Sequence, residues 1–222
     1  MTARRNHRQL AKLEPAAECA LCPRLATFRA RNRAVRPDWH NSPVRAFGAL
    51  DARLLVVGLA PGLKGANRTA RPFTGDHAGK LLYPALLRAG LARGLYAEHA
   101  DDGLVLHRCR VTNAVRCVPP ANKPLPNEFV QCRPFLAAEI AAMVHLRAIL
   151  ALGAGAHAQL LAVFGLTPLR LWPFAHGAVH ELPNGLSIID SYHCSRLNTN
   201  TGRLTVAMFD TVVGEARRRA GT

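Results

Sequence analysis

Four short apolar segments, separated by stretches that carry helix signals, place the strongest constraint on how this chain can fold. The apolar segments are rich in leucine, isoleucine and valine and span residues 53–59, 104–115, 147–152 and 186–192. Helical spacing of apolar residues or helix-start signals mark Ala78–Gly94, Pro126–Leu146, Ala154–Phe164 and Thr201–Arg218. Strands that alternate with helices predict an α/β fold with a mostly parallel sheet, covered by helices on both faces.

The carboxyl ends of these strands hold the most unusual sequences of the chain. In a parallel sheet these ends meet along one edge, and ligands bind in the loops just beyond that edge. The loops concerned are 58–62, 113–117, Gly153 and 193–198. All but Gly153 are polar or rich in glycine, so we expect the functional site at this edge.

The length leaves room for one ordinary domain or two very small ones, and we expect a single domain over residues 1–222. Hydrophobic residues make up 49% of the chain, which supports a packed core and excludes a mainly disordered protein. Residues 1–50 are basic and irregular, with a short helix predicted around Arg8–Leu13.

Arginine dominates the charge of the chain. Lysine and arginine number 29 against 14 acidic residues, a formal net charge of +15. The planar guanidinium group matches the geometry of phosphate, so this excess favours a polyanionic partner. An arginine-favouring genome or thermal adaptation would produce the same composition.

No segment of the sequence is typical of a membrane span. The richest apolar region, Leu136–Phe164, is interrupted by charged residues and histidines. The basic N-terminus lacks the continuous apolar core of a secretory signal. We therefore expect a soluble protein of the cytoplasm.

The six cysteines are, in that compartment, more typical of ligands or buried thiols than of disulfides. Cys19 and Cys22 form a CxxC pair, and Cys117 and Cys132 form a second, wider pair. Four thiolates hold either zinc or an iron–sulfur cluster, and the wide second spacing favours a 4Fe–4S cluster over a zinc ribbon. The alternative is that Cys117 and Cys132 are core thiols.

Three of the loops carry side chains suited to binding or catalysis. Residues 58–62 are typical of a tight strand-to-helix turn, although their glycines would also let the backbone approach a ligand. Phe73 and Asp76 precede a predicted helix, where they are either ligand contacts or a core residue and a helix cap. His193 follows the last predicted strand and would share the sheet edge with Asp76 and Asn113.

Taken together, these segments resemble the uracil-DNA glycosylase superfamily, and specifically its iron–sulfur branch. The resemblance runs from about Cys19 to the C-terminal helix. Its motifs are Gly-Leu-Ala-Pro-Gly at 58–62, Arg-Pro-Phe-Thr-Gly-Asp at 71–76, Asn-Ala-Val-Arg-Cys at 113–117, Pro-Pro-Ala-Asn-Lys-Pro at 119–124 with Cys132, and His-Cys-Ser-Arg-Leu-Asn at 193–198.

Within the superfamily the chain is most similar to family 5 (type B). Family 4 has an acidic residue at the position of Leu59 and lacks an aspartate at the position of Asp76. Cys194 is a departure, because the usual loop reads His-Pro-Ser. Neither Cys194 nor Cys109 receives a role from the resemblance.

The resemblance implies an α/β/α sandwich around a four-stranded parallel sheet. It also implies monofunctional removal of uracil and other deaminated or damaged bases (hypoxanthine, xanthine, ethenocytosine) from DNA in base excision repair. The nucleotide is flipped out, the N-glycosidic bond is hydrolysed and an abasic site remains. The implied 4Fe–4S ligands are Cys19, Cys22, Cys117 and Cys132.

The resemblance also distributes roles in the base pocket. Phe73 would stack on the base, Asn113 would read the uracil edge, and the backbone of Gly58 and Ala60 would close the other side. His193 would donate to the oxygen on which negative charge develops.

Water activation and DNA contacts complete these expectations. Asp76 is predicted to serve as the general base or as an electrostatic partner of the positively charged sugar, with Asn122 as a second candidate in the pocket. The residues expected on DNA are Ser195, Arg196 and Asn198, with Leu197 as an apolar wedge. We expect a monomer.

Two other functions stay open at this point. A non-catalytic nucleic-acid-binding module that holds a metal cluster would explain the charge and the cysteines. It gives no reason for Phe73, Asp76, Asn113 and His193 to share one edge of the sheet. A family 4-like enzyme restricted to uracil is the other, and Leu59 and Asp76 oppose it.

Overall fold

A computed structural model of the protein describes residues 13–222, in which seven strands form two sheets. The predicted short helix at Arg8–Leu13 lies outside the described residues, apart from Leu13 itself. The strands are β1 (Leu54–Gly58), β2 (Ala92–Arg93), β3 (Val105–Leu106), β4 (Cys109–Asn113), β5 (Ala148–Leu152), β6 (Val179–Glu181) and β7 (Ser187–Ser191).

The larger sheet has the strand order β4-β1-β5-β7-β6, and β2 and β3 form a separate hairpin. Strand β1 pairs in parallel with β4 and β5, and β5 pairs in parallel with β7. Every residue of these four strands is buried, as expected for strands covered on both faces. The mostly parallel sheet and its four predicted strands are confirmed.

The expected number of four strands is nevertheless too low, because β6 adds a fifth at the edge. It runs antiparallel to β7 and pairs Val179 with Ile189. Its three residues are half-buried or exposed, so no apolar run marks them in the sequence. Short, partly polar strands of this kind are common at sheet edges.

Helices cover both faces of the sheet, which confirms the three-layer α/β/α architecture. Helices α3 and α7 pack on one face with alternate strand residues such as Leu54 and Val56, and α4 and α5 pack on the other with Leu55 and Val57. The helices are α1 (Pro23–Val35), α2 (Ala66–Thr69), α3 (His77–Arg88), α4 (Pro126–Ala142), α5 (Ala154–Phe164), α6 (Arg196–Asn200) and α7 (Val206–Ala220).

The helix predictions were wrong at three places along the chain. The segment predicted as irregular contains α1, whose thirteen residues include only two buried ones, Leu25 and Arg29. Helix α3 ends at Arg88, six residues earlier than predicted, because the chain turns at Gly90 into β2. Helix α7 begins at Val206 rather than at Thr201, because Thr205 is its N-cap, and residues 196–200 form the separate helix α6.

No helix within residues 13–222 is both long and apolar enough to cross a membrane.

A buried network joins α5 to the edge of the sheet. His157 Nδ1 lies 2.8 Å from Asp190 Oδ1, and His157 Nε2 lies 2.9 Å from the carbonyl oxygen of Trp172. His180 Nε2 lies 3.0 Å from Asp190 Oδ2. Both partners of His157 are acceptors, so both of its ring nitrogens must carry protons to satisfy them.

The imidazolium form of His157 is therefore the one that this network fits. Burial alone would lower the pKa of His157, but the hydrogen bond and charge of Asp190, with the Trp172 carbonyl, raise it above its usual value. His157, His180 and Asp190 come close enough together for a metal site. A doubly protonated imidazole has no free lone pair for a metal, so we interpret the cluster as an ion pair.

We expect His157→Gln to destabilise the protein by about 3 kcal/mol below pH 6, because it breaks a buried ion pair. A histidine whose pKa is raised on folding stabilises fully below its unfolded pKa, and that stabilisation is lost as the pH rises through the folded pKa. The free-energy difference between wild type and variant should therefore shrink towards pH 9. Urea unfolding at several pH values measures it.

His145→Gln is the matched control, because His145 is exposed. Its stability difference from wild type should be small at every pH. A His157→Gln difference that does not depend on pH would contradict the imidazolium assignment.

Candidate active site

A cleft of about 660 Å³ opens at the carboxyl edge of the sheet, where the sequence predicted the site. Gly58, Leu197 and Asn198 lie beside the cleft rather than in its wall. The predicted residues that line it are Ala60, Phe73, Asp76, Asn113, Asn122, His193, Ser195 and Arg196.

Gly58 leaves the space in which two of these side chains meet. It ends β1 and pairs with Asn113 at the end of β4. A Cβ atom at Gly58 would overlap both the ring of Phe73 and the amide oxygen of Asn113. Gly58 thus lies beneath the pocket, and a side chain there would displace both neighbours.

Phe73 is held in an unusual backbone conformation. Its φ of +54° lies in the left-handed region, which bulky residues rarely adopt. The hydroxyl of Tyr96 donates to the Phe73 carbonyl at 3.2 Å, and the hydroxyl of Tyr83 donates to the carbonyl of Pro72. These two bonds fix the loop that aims the Phe73 ring at the cleft.

The same loop is anchored by a buried ion pair. Arg71 binds the carboxylate of Asp102 through two hydrogen bonds of 2.8 and 2.7 Å, and both side chains are buried. Its guanidinium lies over the rings of Phe47, Tyr83 and Tyr96, 5.1 to 5.7 Å from their centroids. The hydrogen bonds from Arg71 hold the pKa of Asp102 well below its usual range.

Asp76 both caps a helix and faces the cleft. Its Oδ1 accepts hydrogen bonds from the backbone N–H groups of Ala78 and Gly79, at 3.1 and 3.3 Å, as an N-cap of α3. Its other oxygen faces Gly62 and Gly65 in the cleft wall. Burial raises the pKa of Asp76, against the opposing effect of these N–H groups and of His193, so its carboxylate is a stronger base than an exposed one.

His193 stands across the cleft from Phe73. The two ring centroids are 6.3 Å apart, and the side-chain amide of Asn198 donates to the His193 carbonyl at 2.8 Å. Burial lowers the pKa of His193, although the charge of Asp76 acts in the opposite direction. The imidazole is therefore neutral at pH 7 and offers one N–H donor.

The two predicted asparagines reach the cleft from different supports. Asn113 is 3% exposed and sits at the end of the buried strand β4. Asn122 ends a short 3-10 turn and has a φ of +56°, which asparagine tolerates better than most residues. The strand fixes Asn113, whereas Asn122 depends on its loop.

Helix α6 presents the residues predicted to contact DNA. Ser195 is its N-cap, Arg196 is exposed, and the side chain of Leu197 is 72% exposed beside the cleft. The side chain of Asn198 is engaged with His193, so it supports the loop. A large apolar side chain left in solvent at this position has no partner among residues 13–222.

The structure also lines the cleft with residues that the sequence did not place there. Leu63, Lys64 and the side chain of Leu59 line the cleft. Leu59 packs against the first turn of α5, where a Cβ at Gly155 would lie 2.7 Å from Leu59 Cδ1. Gly153 and Gly155, on either side of Ala154, were the signal that the sequence offered for this contact. Only the packing of α5 shows that Gly155 makes room for Leu59.

The four predicted metal ligands share one pocket, whose lining has no residue in common with the cleft. Cys19, Cys22, Cys117 and Cys132 line it, although they come from three separate segments of the chain. Its remaining wall is largely apolar, and Leu25 and Val115 pack with the thiols in a small core. All six cysteines are free, so none is used in a disulfide.

The donor set of this pocket fits an anionic metal group. The guanidinium of Arg29 is buried, donates to Cys117 Sγ at 2.9 Å and to the Cys19 carbonyl at 2.8 Å, and has an Nε without a partner. A buried positive charge beside these sulfurs favours negative charge on them, which metal-bound thiolates would supply.

Cys109 and Cys194 lie elsewhere in the core. Burial raises the pKa of each to about 12, so both are neutral thiols. Their chemistry is that of small apolar residues.

Comparison with known proteins identifies the class to which this fold and cleft belong. The family model of the uracil DNA glycosylase superfamily matches residues 45–217. The chain belongs to the uracil-DNA glycosylase superfamily.

Within that superfamily the chain is a glycosylase of the type-5 group, an enzyme that hydrolyses N-glycosidic bonds. A type-5 uracil-DNA glycosylase of Thermus thermophilus is 48% identical over 209 residues, which cover 91% of this chain and 94% of the relative. A type-5 uracil-DNA glycosylase of Pyrobaculum aerophilum is 41% identical over 207 residues, which cover 91% of this chain and 89% of the relative. The type-4 enzyme of that organism is 34% identical over only 116 residues.

We expect Asp102→Asn to destabilise the protein by about 3 kcal/mol, because it leaves the Arg71 guanidinium buried without its counter-ion. For a domain of this size the change corresponds to a fall of roughly 6–12 °C in Tm. Thermal denaturation followed by circular dichroism measures it.

The neighbouring exposed carboxylate gives the control, Asp101→Asn, which should leave Tm nearly unchanged. Equal Tm values for the two variants would show that the Arg71–Asp102 pair does not anchor the Phe73 loop.

Proposed function

We propose that this glycosylase flips uracil out of DNA and hydrolyses its N-glycosidic bond, leaving an abasic site for base excision repair. The convergence of Phe73, Asn113, Asp76 and His193 on one cleft carries this proposal. The type-5 uracil-DNA glycosylases that match the chain along most of its length support it.

Base recognition rests on Phe73 and Asn113. The Phe73 ring gives a flat apolar surface on which a flipped base stacks. The Asn113 amide has both a donor and an acceptor, as the O4 and N3–H edge of uracil requires. Because Asn113 is buried at the end of β4, its amide is best satisfied by a base edge that offers both a carbonyl oxygen and an N–H.

His193 stabilises the leaving group. As the C1′–N bond breaks, its electron pair goes to the base and negative charge develops on O2. A neutral imidazole N–H placed at that oxygen stabilises the charge without first having to give up a proton. The lowered pKa of His193 keeps it in this form at pH 7.

Asp76 directs the water. The electron-poor C1′ accepts a water oxygen, and the proton of that water passes to the free carboxylate oxygen of Asp76. The raised pKa of Asp76 makes the carboxylate a better proton acceptor. Leu59 cannot perform this step, and Asn122, on the same cleft, is the second candidate to hold the water.

The DNA contacts come from helix α6. Arg196 and Ser195 lie at the mouth of the cleft and suit phosphate oxygens. The exposed Leu197 would fill the gap that a flipped nucleotide leaves in the stack. A net charge of +15 supplies the general attraction to DNA.

The same site would accept other damaged bases, namely hypoxanthine, xanthine and ethenocytosine. A cleft of about 660 Å³ has room for a purine as well as a pyrimidine. Leu59 gives its wall an apolar surface that makes no hydrogen-bond demand on the base. A cleft restricted to uracil would need a tighter or more polar wall.

The four cysteines would hold a 4Fe–4S cluster. Cys19 and Cys22 sit on the N-terminal segment, and Cys117 and Cys132 flank the loop that contains Asn122. When bound, such a cluster supplies a structural cross-link between these segments. The loop of Asn122 is thereby tied to the segment before α1.

We expect Asp76→Asn to slow single-turnover excision about 10²- to 10⁴-fold, because an amide cannot accept the proton of water. Asparagine caps helices as well as aspartate does, so α3 stays intact. The assay uses labelled duplexes that contain uracil or hypoxanthine, with alkali added to cut at abasic sites. Asp51→Asn, an exposed change, is the control.

Each outcome decides a different part of the proposal. Normal excision by Asp76→Asn would show that Asp76 is not the general base, and Asn122→Ala would be the next variant to test. Excision of uracil alone would restrict the enzyme to the family 4-like activity. Strand cutting without alkali would contradict a monofunctional enzyme, and tight binding without abasic product would favour the non-catalytic module.

We expect Leu197→Ala to lower excision from duplex DNA more than tenfold while excision from single-stranded DNA changes little. The wedge acts only in duplex DNA, where it fills the gap that the flipped nucleotide leaves between stacked base pairs. The ratio of the duplex rate to the single-strand rate therefore reports on the wedge. Val206→Ala, an exposed apolar residue at the start of α7, is the control. An equal loss on both substrates would contradict the wedge role.

A further inference from the structure

Arg29 differs from the other buried arginines of this protein in what surrounds its charge. Arg71, Arg110 and Arg116 each form an ion pair with a carboxylate. Arg29 is 3% exposed, yet no carboxylate among residues 13–222 lies within ion-pair distance of it. A buried cation without a counter-ion is strongly destabilising, so its negative partner has to come from elsewhere.

The atoms that do surround Arg29 belong to two predicted cluster ligands. Nη1 lies 2.9 Å from Cys117 Sγ, and Nη2 donates to the Cys19 carbonyl at 2.8 Å. Nε is buried and unpartnered. The guanidinium thus bridges the N-terminal cysteine segment and the loop that begins at Cys117, with a donor to spare.

Helix α1 directs a second source of positive potential at the same place. Cys22 is its N-cap, so the sulfur of Cys22 lies at the end of a thirteen-residue helix where the dipole favours negative charge. Arg29 lies seven residues further on, two turns along the same face. One helix therefore presents both a ligand and a cation to the pocket.

We propose, on the basis of the 4Fe–4S cluster proposed above, that Arg29 is the counter-ion and N–H···S donor of that cluster. It stabilises the cluster's more negative, reduced charge state and shields the Cys117 ligand. Hydrogen bonds to ligand sulfurs and positive charge near a cluster raise its reduction potential. Arg29 is thus a positioning residue for the cluster, and it does not touch the base.

The experiment compares loaded wild-type protein with Arg29→Gln, Arg29→Lys and Arg31→Gln. Arg31 is exposed on the same helix and provides the matched control. Iron and sulfide per chain, the midpoint potential in an anaerobic titration, and the loss of visible absorbance in air are measured. Uracil excision is recorded separately.

We expect Arg29→Gln to have a lower midpoint potential than wild type and to lose its cluster several-fold faster in air. Arg31→Gln should match wild type in both. Arg29→Lys keeps the charge but cannot contact Cys117 and Cys19 at once. Its midpoint potential should therefore lie between those of wild type and Arg29→Gln. Should Arg29→Gln fail to retain a cluster, Arg29→Lys carries the comparison alone.

Two results would overturn the proposal, and they are distinguishable. A wild-type protein that contains zinc or no metal would overturn the cluster itself, whatever its excision activity. A fully loaded wild type whose potential and stability in air are shared by Arg29→Gln would overturn only the role of Arg29, as would the same result for Arg29→Lys where Arg29→Gln holds no cluster.

Discussion

The parallel pairing of β1 between β4 and β5 is the constraint from which the rest of this enzyme follows. All five residues of β1 are buried, and its hydrogen bonds to both neighbours fix where each strand ends. Gly58 is paired with Asn113, so the loop after β1 and the Asn113 amide begin at the same level of the sheet. A register slip of one residue would turn every strand side chain to the opposite face and dismantle both cores.

Buried and half-buried polar interactions then decide the shape of the loops that this edge supports. The Arg71–Asp102 pair holds the loop of Phe73, and Arg24 binds Glu128 at the start of α4, next to the loop of Asn122. Asp190 and His157 fix the chain that leads from β6 to His193. Loops at a strand edge have little apolar surface to bury, so paired charges and hydrogen bonds give them one conformation.

The arginines of this protein fall into a buried group and an exposed group. Arg29, Arg71, Arg110 and Arg116 are buried and hold the interior together. Exposed arginines such as Arg196 are the ones available to phosphate. Composition alone cannot separate them, because a guanidinium has the same charge in both settings and only its partners differ.

The sequence by itself determined the four parallel strands, α5 and most of the residues that meet at the cleft. The spacing of apolar residues and the positions of glycines can be read from short segments of the chain. The sequence could not determine β6 or α1, whose residues lack an apolar pattern, nor Asp102 and Tyr96, which act on Phe73 from distant positions. The tertiary structure alone decided that Gly58 lies beneath the pocket, that Asn198 supports His193, and that Arg29 meets Cys117. Each of these contacts joins residues from separate segments of the chain. Their separation in the sequence does not reveal their distance in space.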